Sequence, residues 1–198
     1  MKEYVVSKTD NIDIERVDER WSSIERGQLV DNASGGEAEP RAEFSIAYSE
    51  EGLYFLFDVT DGAPKATMKE YNAPIYDEEA VEFFFATKKD LKDYLEVEFN
   101  AVGGVFAAHI DNDLKGHTSI NFIEKNPIKS KVIAKDGGFY VVGLINRSAF
   151  KGEMDNWLFN AYRIKRRDDN SMILSAFSPT FVENFHKPDR FANLVFAE

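Results

Sequence analysis

The sequence predicts an all-β chain: an antiparallel β-sandwich, jelly-roll or immunoglobulin-like, of about nine or more strands in a single domain over residues 1–198. Three observations predict it. Apolar residues alternate with a period of two over many short runs. Turn-forming Gly, Asp and Asn separate those runs at regular spacing. No long amphipathic helical pattern interrupts them. A closed barrel would satisfy the same pattern. The chain of 198 residues is long enough for such a core; at this size a domain buries about 70% of its unfolded surface.

The elements follow in order. DNASGGEAEPRAE (31–43) reads as a surface loop rather than a domain boundary, because alternation starts directly after it. FSIAYSEEGLYFLFDV is a hairpin turning at Ser49–Gly52. In its second strand Leu53, Phe55 and Phe57 share one face, and Tyr54, Leu56 and Asp58 share the other. Both faces are largely apolar, so this strand is expected to be central and covered on both sides. AVEFFFAT is the next strand, with Val81, Phe83 and Phe85 assigned to the core. DYLEVEFNAVGGVFAAHID turns at Gly103–Gly104 and separates Leu95, Val97 and Phe99 from Glu96, Glu98 and Asn100. KSKVIAKDGGFYVVGLIN is a third hairpin, turning at Asp136–Gly138. NWLFNAYRIKRR, SMILSAFS and RFANLVFA supply the last three strands, while DLKDY and NRSAF are short helical turns at most. Seventeen Phe and eight Tyr suit strands, and most of them are expected to fill the space between two sheets.

Charge narrows the partners. A formal net charge of −11 argues against nucleic acid, whose phosphates are held by Lys and Arg. It equally disfavours an anionic membrane surface. No cysteine is present, which excludes disulfides, thiolate metal sites and cysteine nucleophiles. MKEYVVSKTDNIDIERVDERW has no apolar run of signal-peptide length, and no transmembrane run occurs. The expected compartment is cytoplasmic if Met1 is native, and extracytoplasmic or secreted if a targeting segment has been removed.

Signatures of chemistry are sparse. There is no GxSxG, HExxH, P-loop or GxGxxG after a strand. His109, His117 and His186 are far apart in sequence, and His186 reads as a loop residue fixing a turn. DNDLKG (111–116) opens like a calcium loop, but Lys115 and Phe122 occupy positions where ligands are needed. Asp58, Asp61, Asp111 and Asp113 remain candidates for a structural calcium ion held in a loop. Glu82 and Glu98 could flank a glycosidic bond as a hydrolase pair. As solvated strand carboxylates they would instead be inert. A third arrangement uses Glu98 and Asn100 as hydrogen-bonding partners for sugar hydroxyls, beside aromatic rings that stack on a pyranose.

Five stretches, in this order, resemble the family 9-like carbohydrate-binding modules (DOMON-like β-sandwich domains): FSIAYSEEGLYFLFDVTDGAP, YNAPIYDEEAVEFFF, YLEVEFNAVGGV, NWLFNAYRIKR and SAFSPTFVENFHKPDRFANLVF. The resemblance covers residues 40–198. It implies a β-sandwich without catalysis of its own, associated with xylan- and cellulose-degrading glycoside hydrolases. Such a module grips a polysaccharide or oligosaccharide, often at a chain end, between aromatic rings. By position, the resemblance puts Tyr76 where the family often has a stacking Trp, and Glu82 at a sugar-bonding Glu. It adds Glu98, Asn100 and Arg163 as polar contacts, with Phe177, Phe181 and Phe185 competing for the second ring. Two alternatives stand beside it: a sugar-active enzyme using Glu82 and Glu98, and an interaction module that has lost its sugar.

Overall fold

The computed structural model describes residues 1–197. Among the described residues eleven of fourteen strands form one hydrogen-bonded path that folds over on itself into two layers, and three short strands pair alongside it. One layer contains β4 (Ala42–Ser49), β5 (Gly52–Thr60), β10 (Ile128–Lys135) and β11 (Gly138–Asn146), edged by the two-residue β2 (Gly27–Gln28). The other contains β6 (Ala80–Ala86), β7 (Asp93–Phe99), β8 (Val105–Asn112), β9 (Thr118–Phe122), β12 (Trp157–Arg166) and β14 (Ala192–Phe196). There, β13 (Met172–Ala176) pairs with β12 and with the short β3 (Val30–Asp31).

The strand β1 (Glu3–Lys8) joins the layers. Its Glu3–Val6 half pairs with β14, and its Ser7–Lys8 end pairs with β4, both parallel. This is a departure from the purely antiparallel expectation. Both partners of β1 are far from it in sequence, so no tight turn forces it to run against them.

The core lies between the layers. Phe55 and Phe57 of β5 face Phe83 of β6, and the Phe57 and Phe83 rings stack at 4.4 Å across the interface. β5 lies between β4 and β11, with Tyr54 and Leu56 on its outer face covered by Trp21, Ile12 and Ile24. It is therefore central and covered on both sides. Both tryptophans, Trp21 and Trp157, are buried in the interior. The Gly103–Gly104 turn is sterically required: Gly103 has φ +90°, and a Cβ on Gly104 would lie 2.5 Å from the Met68 carbonyl. No described helix is long and apolar enough to cross a membrane.

Candidate functional site

Period two decides which side chains face away from the core. Val81, Phe83 and Phe85 point inward, so Glu82 and Phe84 point to the outer face of the β6–β7–β12 layer. The register then builds rows across that face. Glu82 lies opposite Tyr162 on one side and Glu98 on the other, and Glu98 lies opposite Phe106. In the next row Phe84 lies between Asn160 and Glu96. Three carboxylates thus meet on one patch.

An outer sheet face is normally wet, but this one is covered. Residues 177–191 cross it and are pinned from below. Asn160 donates to the Ser178 carbonyl at 2.7 Å and accepts from the Ser178 amide at 2.9 Å. The Tyr162 hydroxyl donates to the Phe185 carbonyl at 3.0 Å, and its ring stacks on Phe185 at 4.1 Å. His186 Nδ1 is 2.8 Å from the Tyr94 hydroxyl, and its ring lies against Phe84. His186 thus anchors the loop, as its sequence context suggests.

A second covering segment carries Tyr76 in the 3-10 turn Ile75–Asp77. Its acidic neighbours hold it in place. Glu78 accepts from the Thr67 and Met68 amides at 2.8 and 3.1 Å. Glu79 pairs with Lys165 at 3.0 Å and accepts from the Arg166 amide. Tyr76 packs edge-on against Phe106 at 5.6 Å, leaving its ring half-buried.

Between the two segments opens a cleft of about 290 Å³. Glu82, Phe84 and Glu96 form its floor, Tyr76 and Ile120 one side, and Phe185 and His186 the other. It adjoins a second depression of about 420 Å³, with which it shares Met172, Leu174 and Glu183.

The floor is electrostatically unusual. Glu82, Glu96 and Glu98 are only 2%, 6% and 0% exposed. Among the described residues none of the three has a Lys or Arg within salt-bridge distance. Among the described residues Oε1 of Glu82 lacks any hydrogen-bond partner, and Glu98 has only the carboxyl of Glu96, with which it can share a proton. Burial, reinforced by the Glu96 charge, raises the Glu82 carboxyl well above its usual range. Burial and then the charges of Glu82 and Glu96 do the same to Glu98. Burial pushes Glu96 up to about 7. The cluster therefore retains protons near neutrality, and its hydroxyls and oxygens can both donate and accept.

The sequence-predicted residues divide. Tyr76, Glu82 and Phe185 line the cleft, and Glu98 lies beneath it against Glu82. Asn100 shares the face but is committed to its own turn. It donates to the Met68 carbonyl and accepts from the Val102 and Gly104 amides. Arg163 points to the opposite side of β12, where its guanidinium meets Asp61 at 2.8 Å and the Pro40 carbonyl at 3.1 Å. One residue along a strand reverses the face, so Arg163 cannot reach Glu82. Phe177 is in the inter-sheet core against Tyr4, Phe44 and Phe159. Phe181 is exposed outside the cleft.

The calcium candidates have other partners. Asp58 pairs with Lys135 and Arg26, and Asp61 with Arg163 and Lys165. Asp111 accepts from Asn121, and Asp113 from the Lys115 and His117 amides. Among the described residues no group of three or more His, Asp or Glu is arranged to hold a metal ion. Glu96, Phe84 and Glu183 are additions to the site. Period two already places Glu96 beside Glu98 and Phe84 beside Glu82. Glu183 sits in a loop, where no periodic signal exists.

A β-sandwich with an aromatic-walled, carboxyl-floored cleft on one outer face has the form of a small-ligand binding module. The family model for carbohydrate-binding family 9 matches residues 14–127. The chain belongs to carbohydrate-binding family 9. That match takes in more of the N-terminal segment than the motif resemblance over 40–198 and ends before the C-terminal strands. No curated protein matches the chain. Among solved structures it is similar to a provisionally assigned carbohydrate-binding protein from Bacteroides uniformis ATCC 8492, at 20% identity over 99% of each chain and a TM-score of 0.75. It is also similar to a family 9 carbohydrate-binding module from Caldicellulosiruptor kristjanssonii in complex with cellotriose. That pair has 16% identity, 98% and 93% coverage, and a TM-score of 0.72. The same organism's family 9 module in complex with glucose gives 16% identity, 99% and 96% coverage, and a TM-score of 0.71. At these identities the likeness establishes the shared sandwich fold.

Proposed function

We propose that this chain binds a β-linked oligosaccharide of the cello- or xylo- type, chain ends included, in the cleft beneath Tyr76, and that it does not cleave it. The observation that carries the reading is Glu82: the residue lines an open cleft walled by aromatic rings, and its buried Oε1 has no hydrogen-bond partner among the described residues. A buried polar atom left unpaired costs about 1–3 kcal/mol, and a sugar hydroxyl arriving from the cleft would relieve that cost. Tyr76 offers a ring face for the C–H side of a pyranose. Phe185 supports the far wall, and the adjoining depression gives a longer chain somewhere to run. The cellotriose and glucose complexes of the structurally similar modules support the choice of ligand.

The hydrolase reading asks for two carboxyls flanking the bond. Glu98 is fully buried and does not line the cleft, which favours binding over hydrolysis by a Glu82–Glu98 pair. The half-exposed Tyr76 and the polar floor also disfavour a module that serves protein contact alone. Titration calorimetry with cellotriose and xylotriose tests the proposal. The unmodified protein should bind at least one, and Tyr76→Ala should weaken it by at least about 1 kcal/mol, the scale of one lost stacking contact. Absence of binding at millimolar sugar, or unchanged affinity in the variant, would reject this site.

A further inference from the structure

The cleft floor is a cluster of buried carboxyls without a cation, and a neutral sugar leaves it so. Glu82, Glu96 and Glu183 line the cleft and no Lys or Arg does. The groups facing the buried cluster offer no cation. Glu98 and Tyr94 face it from β7, Tyr162 from β12 and Asp77 from the 3-10 turn. Among the described residues His186 is the one basic side chain in the cleft wall, and burial lowers its proton affinity, which favours the neutral ring against the Tyr94 hydroxyl. The nearest lysines and arginines do not line the cleft: Arg163 and Lys165 pair with Asp61, and Arg166 donates to the Glu78 and Tyr76 carbonyls and lines the adjoining depression with Arg167. Meanwhile Glu82, a residue 2% exposed that lines the cleft, has a buried Oε1 without a partner among the described residues.

We propose that this cleft selects a carbohydrate carrying a primary amine, a 2-amino-2-deoxy sugar unit on a β-linked backbone, and that the amine sits on Glu82 and Glu96. An ammonium group supplies the countercharge that the fold itself withholds. Its N–H donors make charge-assisted bonds to carboxylate oxygens, roughly twice as strong as neutral ones. Burying three carboxyls without a cation holds protons on them. An incoming ammonium would let one carboxyl ionise, with its proton released to solvent. A plain hydroxyl at the same carbon gains only a neutral hydrogen bond, and an N-acetyl group removes the charge and adds bulk.

The inference rests on the carbohydrate-binding reading of the cleft, and one experiment separates the two. Titration calorimetry at neutral pH would compare three trisaccharides with the same β-1,4 backbone: the glucosamine trimer, its N-acetylated form, and cellotriose. The glucosamine trimer is expected to bind roughly ten- to hundred-fold tighter than the other two. That preference should collapse in Glu82→Gln and in Glu96→Gln. Two variants are used so that misfolding of one, checked by its thermal unfolding, leaves the other to decide. Cellotriose binding as tightly as the glucosamine trimer would overturn the amine inference and leave the carbohydrate reading standing. A glucosamine preference that survives both substitutions would overturn it too. Failure of all three sugars to bind would sink both.

Discussion

Glu96 lies opposite Phe84, beside two other carboxyls, with its charge unopposed. Its pKa rises from 4.5 to about 7 on folding. The folded protein therefore keeps a proton that the unfolded chain has released, and between those two values this group's contribution to stability falls as pH rises. Glu82 and Glu98, also raised, add slope of the same sign. Opposing it are His109 and His186, held below 6.5, and, only at the foot of the window, acids held below their usual range such as Asp61 and Glu78. A difference measurement removes them. Going from about pH 5 to about pH 8 without ligand, the wild type should lose thermal stability relative to Glu96→Gln. A flat difference would mean that Glu96 titrates like a surface glutamate.

At the level of elements, two pieces hold the cleft and a third only stabilises the sandwich. The 177–191 segment depends on Asn160, whose amide bonds Ser178 twice and the Tyr162 hydroxyl once. Asn160→Ala should cost about 1–3 kcal/mol in denaturant unfolding and weaken sugar binding with it, because Phe185 and His186 ride on that segment. Arg163 makes the opposite prediction. It pairs with Asp61 with both side chains under 10% exposed, and it lies on the other side of β12. Arg163→Ala should therefore cost about 3–5 kcal/mol and leave sugar affinity unchanged; lost affinity in a folded variant would return Arg163 to the site. Most strands were legible because alternation and Gly-containing turns mark them directly. β1, β9 and the two-residue β2 and β3 were not assigned. β1 runs parallel to both partners, so no hairpin turn announces it. β9 alternates weakly and is mostly exposed, with Ile120 and Phe122 serving the cleft side rather than the core.

Over the whole molecule, face assignment was readable one strand at a time, but convergence was not. Period two separates Glu82 from Phe83 and Glu96 from Val97. Which strands lie side by side depends on register, and register placed Arg163 beside Val81 rather than beside Glu82. Phe177 and Phe185 look alike in sequence. One falls in the inter-sheet core and the other on the outer face, because the chain crosses from one to the other between them. The formal net charge of −11 counts Glu82, Glu96 and Glu98 as ionised, whereas burial together at the cleft floor favours their protonated forms. With Glu98 inaccessible, incubation with xylan or cellulose should release no reducing sugar; release abolished by Glu82→Gln would restore the hydrolase reading. The most direct test of the central claim is amide and aromatic chemical-shift mapping during titration with cellotriose and the glucosamine trimer. Shifts should concentrate on Tyr76, Phe84, Phe185 and His186 and spare the Trp21 face of the opposite layer. Perturbations centred on that opposite layer, or none with either sugar, would contradict it.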